Sequence, residues 1–80
     1  MYFVYVLKNE QTERIYIGMS ADVERRLTEH NNGNVRSTRA YRPWILLFKK
    51  EVGERKLARQ EEKRLKSGYG REEIKKYMRP

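Results

Sequence analysis

The chain contains no cysteine. That excludes a disulfide framework, a thiolate zinc site and a cysteine nucleophile. A chain this small without disulfides fits a reducing compartment, and the cytoplasm is the expected location. Long apolar runs are also missing. None approaches the roughly 20 residues that span a bilayer, so no membrane partner is expected. The first seven residues, Met1 to Leu7, are hydrophobic but lack a basic flank and a small-residue cleavage site. They read as a strand and not as a leader peptide. There is no low-complexity tract, internal repeat or linker. Eighty residues leave no room for two hydrophobic cores, so residues 1–80 are expected to form a single domain of modest stability.

Basic charge is what the chain has in excess. The formal net charge is +8. Residues 1–32 hold four basic and five acidic side chains, a sum of −1. Residues 33–66 hold eleven and four, a sum of +7, and the last fourteen add +2. A basic second half points to a polyanion, with nucleic acid ahead of an anionic membrane.

Hydrophobic periodicity divides the chain into six elements. Tyr2–Lys8 is rich in aromatic and β-branched residues and predicts a strand. Asn9–Arg14 is polar and turn-like, and Ile15–Gly18 resumes the strand pattern, so the two runs predict an antiparallel hairpin. Ser20 and Asp22 sit where helix caps and first-turn acids belong. Val23 and Leu27 follow as an i, i+4 pair, predicting a helix to His30 that ends at Asn31-Asn32-Gly33-Asn34, with Gly33 as a left-handed cap. Val35–Pro43 reads as a basic loop. Trp44–Val52 predicts a third strand. Glu54–Lys66 predicts a second helix with Leu57, Ala58 and Leu65 on one face. Ser67-Gly68-Tyr69-Gly70 is read as a break, and Arg71–Met78 as a short third helix. The order β-β-α-β-α-α implies an α+β fold with a small three-stranded antiparallel sheet flanked by helices. The first strand is apolar on both faces, which places it in the middle of the sheet.

Four groups of residues carry potential chemistry. Arg26 and His30 lie one helical turn apart and share a helix side. An arginine can clamp a phosphate, and a histidine can move protons near neutral pH. If Leu7 pairs with Tyr16, then Tyr5 pairs with Gly18, and Tyr5 and Tyr16 share one face of the sheet. Glu61 and Glu62 stand within a basic helix, and a hard cation needs as few as one or two carboxylates plus substrate phosphate. Arg36, Arg39 and Arg42 are interleaved with Ser37, Thr38 and Tyr41, and no acid neutralises the loop. This pattern suits phosphate oxygens, with an aromatic for a base or sugar. Each of the first three groups alone has an ordinary packing or surface-charge explanation.

Their order and spacing resemble the GIY-YIG nuclease family, in particular its small stand-alone bacterial members. Tyr16-Ile17-Gly18, followed by the segment from Met19 through Arg26-Leu27 to His30-Asn31, is similar to the family's second motif and its catalytic helix. Ser37-Thr38-Arg39, Arg42-Pro43-Trp44 and the run from Arg59 to Gly70 extend the likeness, which covers Tyr2 to about Tyr77. The first motif reads Phe3-Val4-Tyr5, keeping only its tyrosine. No asparagine follows Asn34, although some family nucleases carry one after the glutamate.

The resemblance implies a metal-dependent DNA endonuclease working in DNA repair, recombination or processing. It implies catalytic roles for Tyr5, Tyr16, Arg26, His30 and Glu62, with Gly18 leaving space for the backbone to pass the substrate. Glu62 would hold one Mg²⁺ or Mn²⁺. On a helical wheel Glu61 falls nearer the middle of the apolar stripe and Glu62 at its edge, and the resemblance selects Glu62. Arg36, Arg39, Arg42 and Lys66 are the expected DNA contacts. No separate DNA-recognition domain is apparent, which leaves room for a protein partner that supplies substrate specificity. The alternative is a nucleic-acid-binding module that keeps the fold with little or no turnover.

Overall fold

The computed structural model describes residues 1–78. Three strands, β1 (Tyr2–Asn9), β2 (Ile15–Ser20) and β3 (Trp44–Gly53), form one antiparallel sheet. The helices are α1 (Val23–Asn31), α2 (Arg55–Leu65) and α3 (Gly68–Met78). The sheet order is β2-β1-β3, so β1 is central as its doubly apolar pattern requires.

Alternation along β1 feeds two cores. Val4 and Val6 point to one face, where they meet Ile17, Ala58 of α2, Leu65 of α2 and Ile74 of α3. Tyr5 and Leu7 point to the other, where they meet Val23 of α1 and Trp44. The sheet is thus sandwiched between α1 on one side and α2 with α3 on the other. All four β1 residues are at most 1% exposed, and burying a Val or Leu side chain contributes about 1.5–3 kcal/mol.

Local signals explain the element ends. Asn9 Oδ1 accepts from the backbone N–H groups of Gln11 and Thr12 and folds the hairpin loop back. The cap of α1 is Asp22, whose Oδ1 accepts from Arg25 N at 3.1 Å. Ser20 does not cap the helix; its hydroxyl bridges the backbone N–H and C=O of Asp22 and braces the turn. At the other end Gly33 has φ +81°, a left-handed conformation. Gly33 N–H bonds His30 O at 3.2 Å and Asn34 N–H bonds Glu29 O at 3.0 Å, the Schellman pattern. The helix therefore stops within two residues of His30.

Three expectations need correction. The basic loop is not wholly irregular, since Arg39–Tyr41 makes one 3₁₀ turn. Leu57 is 46% exposed and does not join the buried stripe; Ala58 and Leu65, two turns apart, carry it. Residues 67–70 do not form a four-residue break either. α3 begins at Gly68, and the Ser67 hydroxyl accepts from Gly70 N at 3.3 Å in the manner of an N-cap. Gly70 is there for close approach, because a Cβ on it would lie 2.3 Å from Leu65 Cα. The glycine lets α3 cross tightly against the end of α2.

Candidate active site

The cross-strand register is Tyr5↔Gly18 and Leu7↔Tyr16. Tyr5 and Tyr16 consequently lie on the same face, the one covered by α1, with ring centroids 6.3 Å apart. Gly18 makes this possible. A Cβ there would stand 2.7 Å from Tyr5 Oη and 2.9 Å from Tyr16 Cε2. The glycine thus makes room for the two rings, a contribution that spacing alone does not reveal. Gly18→Ala is expected to displace both rings and to cost about 1–3 kcal/mol, as overpacked sites do. Urea denaturation together with near-ultraviolet tyrosine dichroism checks it, and unchanged stability and spectrum would contradict this account of the glycine.

α1 delivers His30 to the same spot. His30 is fully buried, and its Nε2 lies 3.0 Å from Tyr5 Oη. Its ring also packs against Tyr16 at 4.7 Å between centroids. The second nitrogen, Nδ1, lies 2.7 Å from Thr38 Oγ1. Thr38 is therefore turned inward at 2% exposure, and its hydroxyl does not face the solvent as a phosphate contact would. It is a site neighbour that sequence reasoning assigns to the wrong partner. Its place is fixed by Trp44, whose indole Nε1–H donates to Thr38 O at 3.0 Å. Asn31 in turn clamps the Trp44 backbone, accepting from its N–H at 2.7 Å and donating to its C=O at 2.9 Å.

Burial holds His30 well below the usual histidine range, at about 4. The nearby positive charge of Arg26 pushes the same way, against Glu29. The ring is accordingly neutral at physiological pH. Burial also raises the Tyr5 phenol above 10. The Arg26 guanidinium beside its hydroxyl opposes that rise, while Tyr16 and Glu62 add to it. Arg26 is one-third exposed and pairs with Glu29 at 2.8 Å. Glu29 is a second neighbour that the motif reading does not single out.

Four of the five expected side chains, Tyr5, Tyr16, Arg26 and His30, thus meet at one place. Glu62 is not hydrogen-bonded to any of them. It stands on α2, against the opposite face of the sheet, and its influence on the cluster is electrostatic, through Tyr5. The two adjacent glutamates differ in their engagement. Glu61 is gripped by Arg64 through two hydrogen bonds of 2.7 Å and by Lys50 at 3.0 Å. Those contacts hold its carboxyl at about 2. Among the described residues Glu62 has only a loose pairing with Lys66 at 3.7 Å. Of the two, its carboxylate is the less engaged by these residues. Among the described residues no three carboxylate, imidazole or thiolate side chains gather into a metal-binding group. One carboxylate completed by water and substrate phosphate is a donor set that suits Mg²⁺, so the residues fit a single hard ion at Glu62.

The basic segment lies beside this cluster, since Thr38 falls between Arg36 and Arg39. Arg36 and Arg39 are exposed. Arg42 is more constrained. Its Nε donates to Arg39 O at 2.7 Å, and its guanidinium covers Gly33, where a Cβ would lie 2.8 Å from Nη1. Tyr41 has its ring face covered by Arg14 at 3.8 Å. Lys66 caps the end of α2 and is half-exposed.

A hydrogen-bonded tyrosine–histidine pair, flanked by a second tyrosine and an arginine, is thus assembled on the β-β-α unit. The chain matches the GIY-YIG catalytic domain over residues 1–77 and belongs to that family. The family is one of nucleases. No curated protein and no solved structure matches the chain. Among the described residues no helix is long and apolar enough to cross a membrane.

Proposed function

We propose that the protein is a metal-dependent DNA endonuclease, acting in the cytoplasm in DNA repair, recombination or processing. The observation that carries this reading is the convergence of Tyr5, Tyr16, Arg26 and His30 at the positions where the family keeps its chemistry. In this reading a water oxygen bonds to phosphorus and the bond from phosphorus to the 3′-oxygen breaks, while Tyr5 takes the water's proton as its own passes to His30 Nε2, 3.0 Å away, and the leaving oxygen takes a proton from solvent. Arg26 holds a non-bridging oxygen with its planar fork. Its pairing with Glu29 is near the surface and weak, of order 0–1 kcal/mol, so a phosphate displaces it at little cost. Tyr16, more exposed than Tyr5, orients the water or the phosphate. His30 assists Tyr5 from behind. Glu62 would hold one Mg²⁺ or Mn²⁺, which when bound supplies stabilisation of the charge on the leaving 3′-oxygen and the phosphate.

Arg36, Arg39, Arg42 and Lys66 are proposed to contact the DNA backbone, with a protein partner supplying substrate specificity. Binding should then be largely insensitive to sequence and steeply dependent on salt. Replacing Arg36, Arg39 and Arg42 together is expected to flatten the plot of log affinity against log salt, by about 0.9 for each phosphate no longer neutralised. Arg42 should contribute least, being tied to Arg39 O and Gly33. Fluorescence anisotropy at several salt concentrations measures this, and an unchanged slope removes the loop from the interface.

A binding module without useful turnover is the second reading. It is favoured by the buried Tyr5 and by the lack of any asparagine between Asn34 and Pro80. Incubation with supercoiled, branched and single-stranded DNA, in Mg²⁺ or in EDTA, distinguishes the two. Cleavage that EDTA stops supports the nuclease, whereas binding without cleavage on every substrate and metal supports the module.

A further inference from the structure

His30 is the chain's single histidine. It is fully buried, with Nε2 3.0 Å from Tyr5 Oη and Nδ1 2.7 Å from Thr38 Oγ1. A neutral imidazole carries one ring hydrogen, so one nitrogen donates and the other accepts. The Tyr5 and Thr38 hydroxyls carry one hydrogen each. Three hydrogens are thus shared out among Tyr5, His30 and Thr38, and the acceptors within reach decide where each one points.

Tyr5 sets the direction. It is 1% exposed, so solvent offers its hydroxyl hydrogen little relief. The Arg26 guanidinium stands beside the same hydroxyl, but a guanidinium only donates. The acceptor left for the Tyr5 hydrogen is His30 Nε2, which is therefore bare, and the ring hydrogen sits on Nδ1. Thr38 Oγ1 accepts it, and the Thr38 hydrogen passes on to Val35 O at 3.4 Å. That last bond is the weakest link. It is longer than the usual span of about 2.5–3.0 Å, and Val35 O also accepts the backbone N–H groups of Thr38 and Arg39. Every hydrogen nevertheless has an acceptor. The opposite tautomer turns Nε2–H toward Tyr5 and leaves the buried tyrosine hydrogen with none, which costs more than one long bond.

We propose that Thr38 is a positioning residue: by accepting the Nδ1–H of His30 it holds the ring in the tautomer whose bare Nε2 faces Tyr5 Oη. The catalytic part of this proposal rests on the nuclease reading above. Tyr5 donates to His30, His30 to Thr38 and Thr38 to Val35 O, so the chain of hydrogen bonds runs one way, inward from the substrate side. When Tyr5 gives its proton to Nε2 and takes the water's proton, Tyr5 ends neutral and His30 ends as an imidazolium. Its Nε2–H then points at Tyr5 and its Nδ1–H stays on Thr38, so the ring need not turn. The imidazolium returns its extra proton to solvent. Thr38 is uncharged, so it orients the ring without stabilising the imidazolium as a carboxylate in that place does. The Trp44 indole, donating to Thr38 O, keeps the threonine at this position.

Long-range ¹H–¹⁵N correlation spectra of uniformly ¹⁵N-labelled protein, recorded near neutral pH, test the tautomer directly, with no overlap because there is one histidine. The expected spectrum shows Nδ1 as the protonated nitrogen and Nε2 as the bare one. Thr38→Val keeps the shape but removes the acceptor of Nδ1–H, so a population with Nε2–H should appear, and Thr38→Ser should return the ring to Nδ1–H. In cleavage assays Thr38→Val is expected to lower kcat by about 10- to 100-fold, the loss typical when a metal-bound histidine loses its orienting partner, with KM little changed and Thr38→Ser near wild type. A wild-type spectrum with Nε2–H overturns the proposal. So does a Thr38→Val spectrum identical to wild type, or a change of tautomer at wild-type kcat. If Thr38→Val fails to fold, the wild-type and Thr38→Ser spectra still decide the tautomer. The spectra need no turnover, so failure of the nuclease reading and failure of the tautomer assignment are distinguishable.

Discussion

Glu62→Gln is expected to abolish cleavage while leaving DNA affinity within about twofold, since roughly 1.4 kcal/mol would be needed for a tenfold change and a single buried-edge carboxylate makes no favourable contact with phosphate. The substitution keeps size and hydrogen-bonding capacity but removes the charge that a hard cation requires. Glu61→Gln is the control. Glu61 is bound by Arg64 and Lys50, so its loss should lower stability slightly and leave cleavage nearly intact. Cleavage rates for the two variants, measured with excess Mg²⁺ beside an anisotropy titration in EDTA, make the comparison. If Glu62→Gln cuts as fast as wild type, the metal role moves to Glu61 or disappears.

Arg26→Ala is expected to slow cleavage by roughly 2.7–4 kcal/mol, the loss seen when one preorganised donor to a developing oxyanion is removed. That corresponds to about 10²–10³ in rate. Stability should change little, because the pairing of Arg26 with Glu29 is one-third exposed on both sides. Arg26→Lys should recover only part of the rate, since an ammonium restores charge without the two-pronged geometry. Single-turnover kinetics at saturating protein separate this effect from binding. A rate within about threefold of wild type for Arg26→Ala would exclude a transition-state contact of that size.

Much of this architecture is legible in the sequence because each strand carries a plain period. The doubly apolar Tyr2–Leu7 run requires a central strand, and the short polar hairpin loop fixes the register that places Tyr5 opposite Gly18. The Asn-Asn-Gly-Asn run announces the end of α1 because a left-handed residue closes a helix this way. Gly70 misleads for a physical reason: a glycine marks both breaks and close helix crossings, and the sequence does not distinguish them. Leu57 looks like core because the helical wheel assigns a face without knowing how wide the neighbouring sheet is. Thr38 looks like a phosphate contact because hydroxyls beside arginines usually are. Its inward turn depends on Trp44, six residues away, which holds its backbone carbonyl. The contrast between Glu61 and Glu62 depends on Lys50 of β3, which donates to Glu61 directly, and on Glu73 of α3, which joins Glu61 in gripping Arg64. No spacing in the sequence reports that network.

The measurement that bears most directly on the central claim is nicking of supercoiled plasmid by the wild-type protein, followed over time in Mg²⁺, in Mn²⁺ and in EDTA. Nicked and then linear DNA should accumulate with either metal and should not accumulate in EDTA, while binding persists in all three. Protein that binds the plasmid but leaves it supercoiled in both metals, or that nicks it equally well in EDTA, would contradict the account.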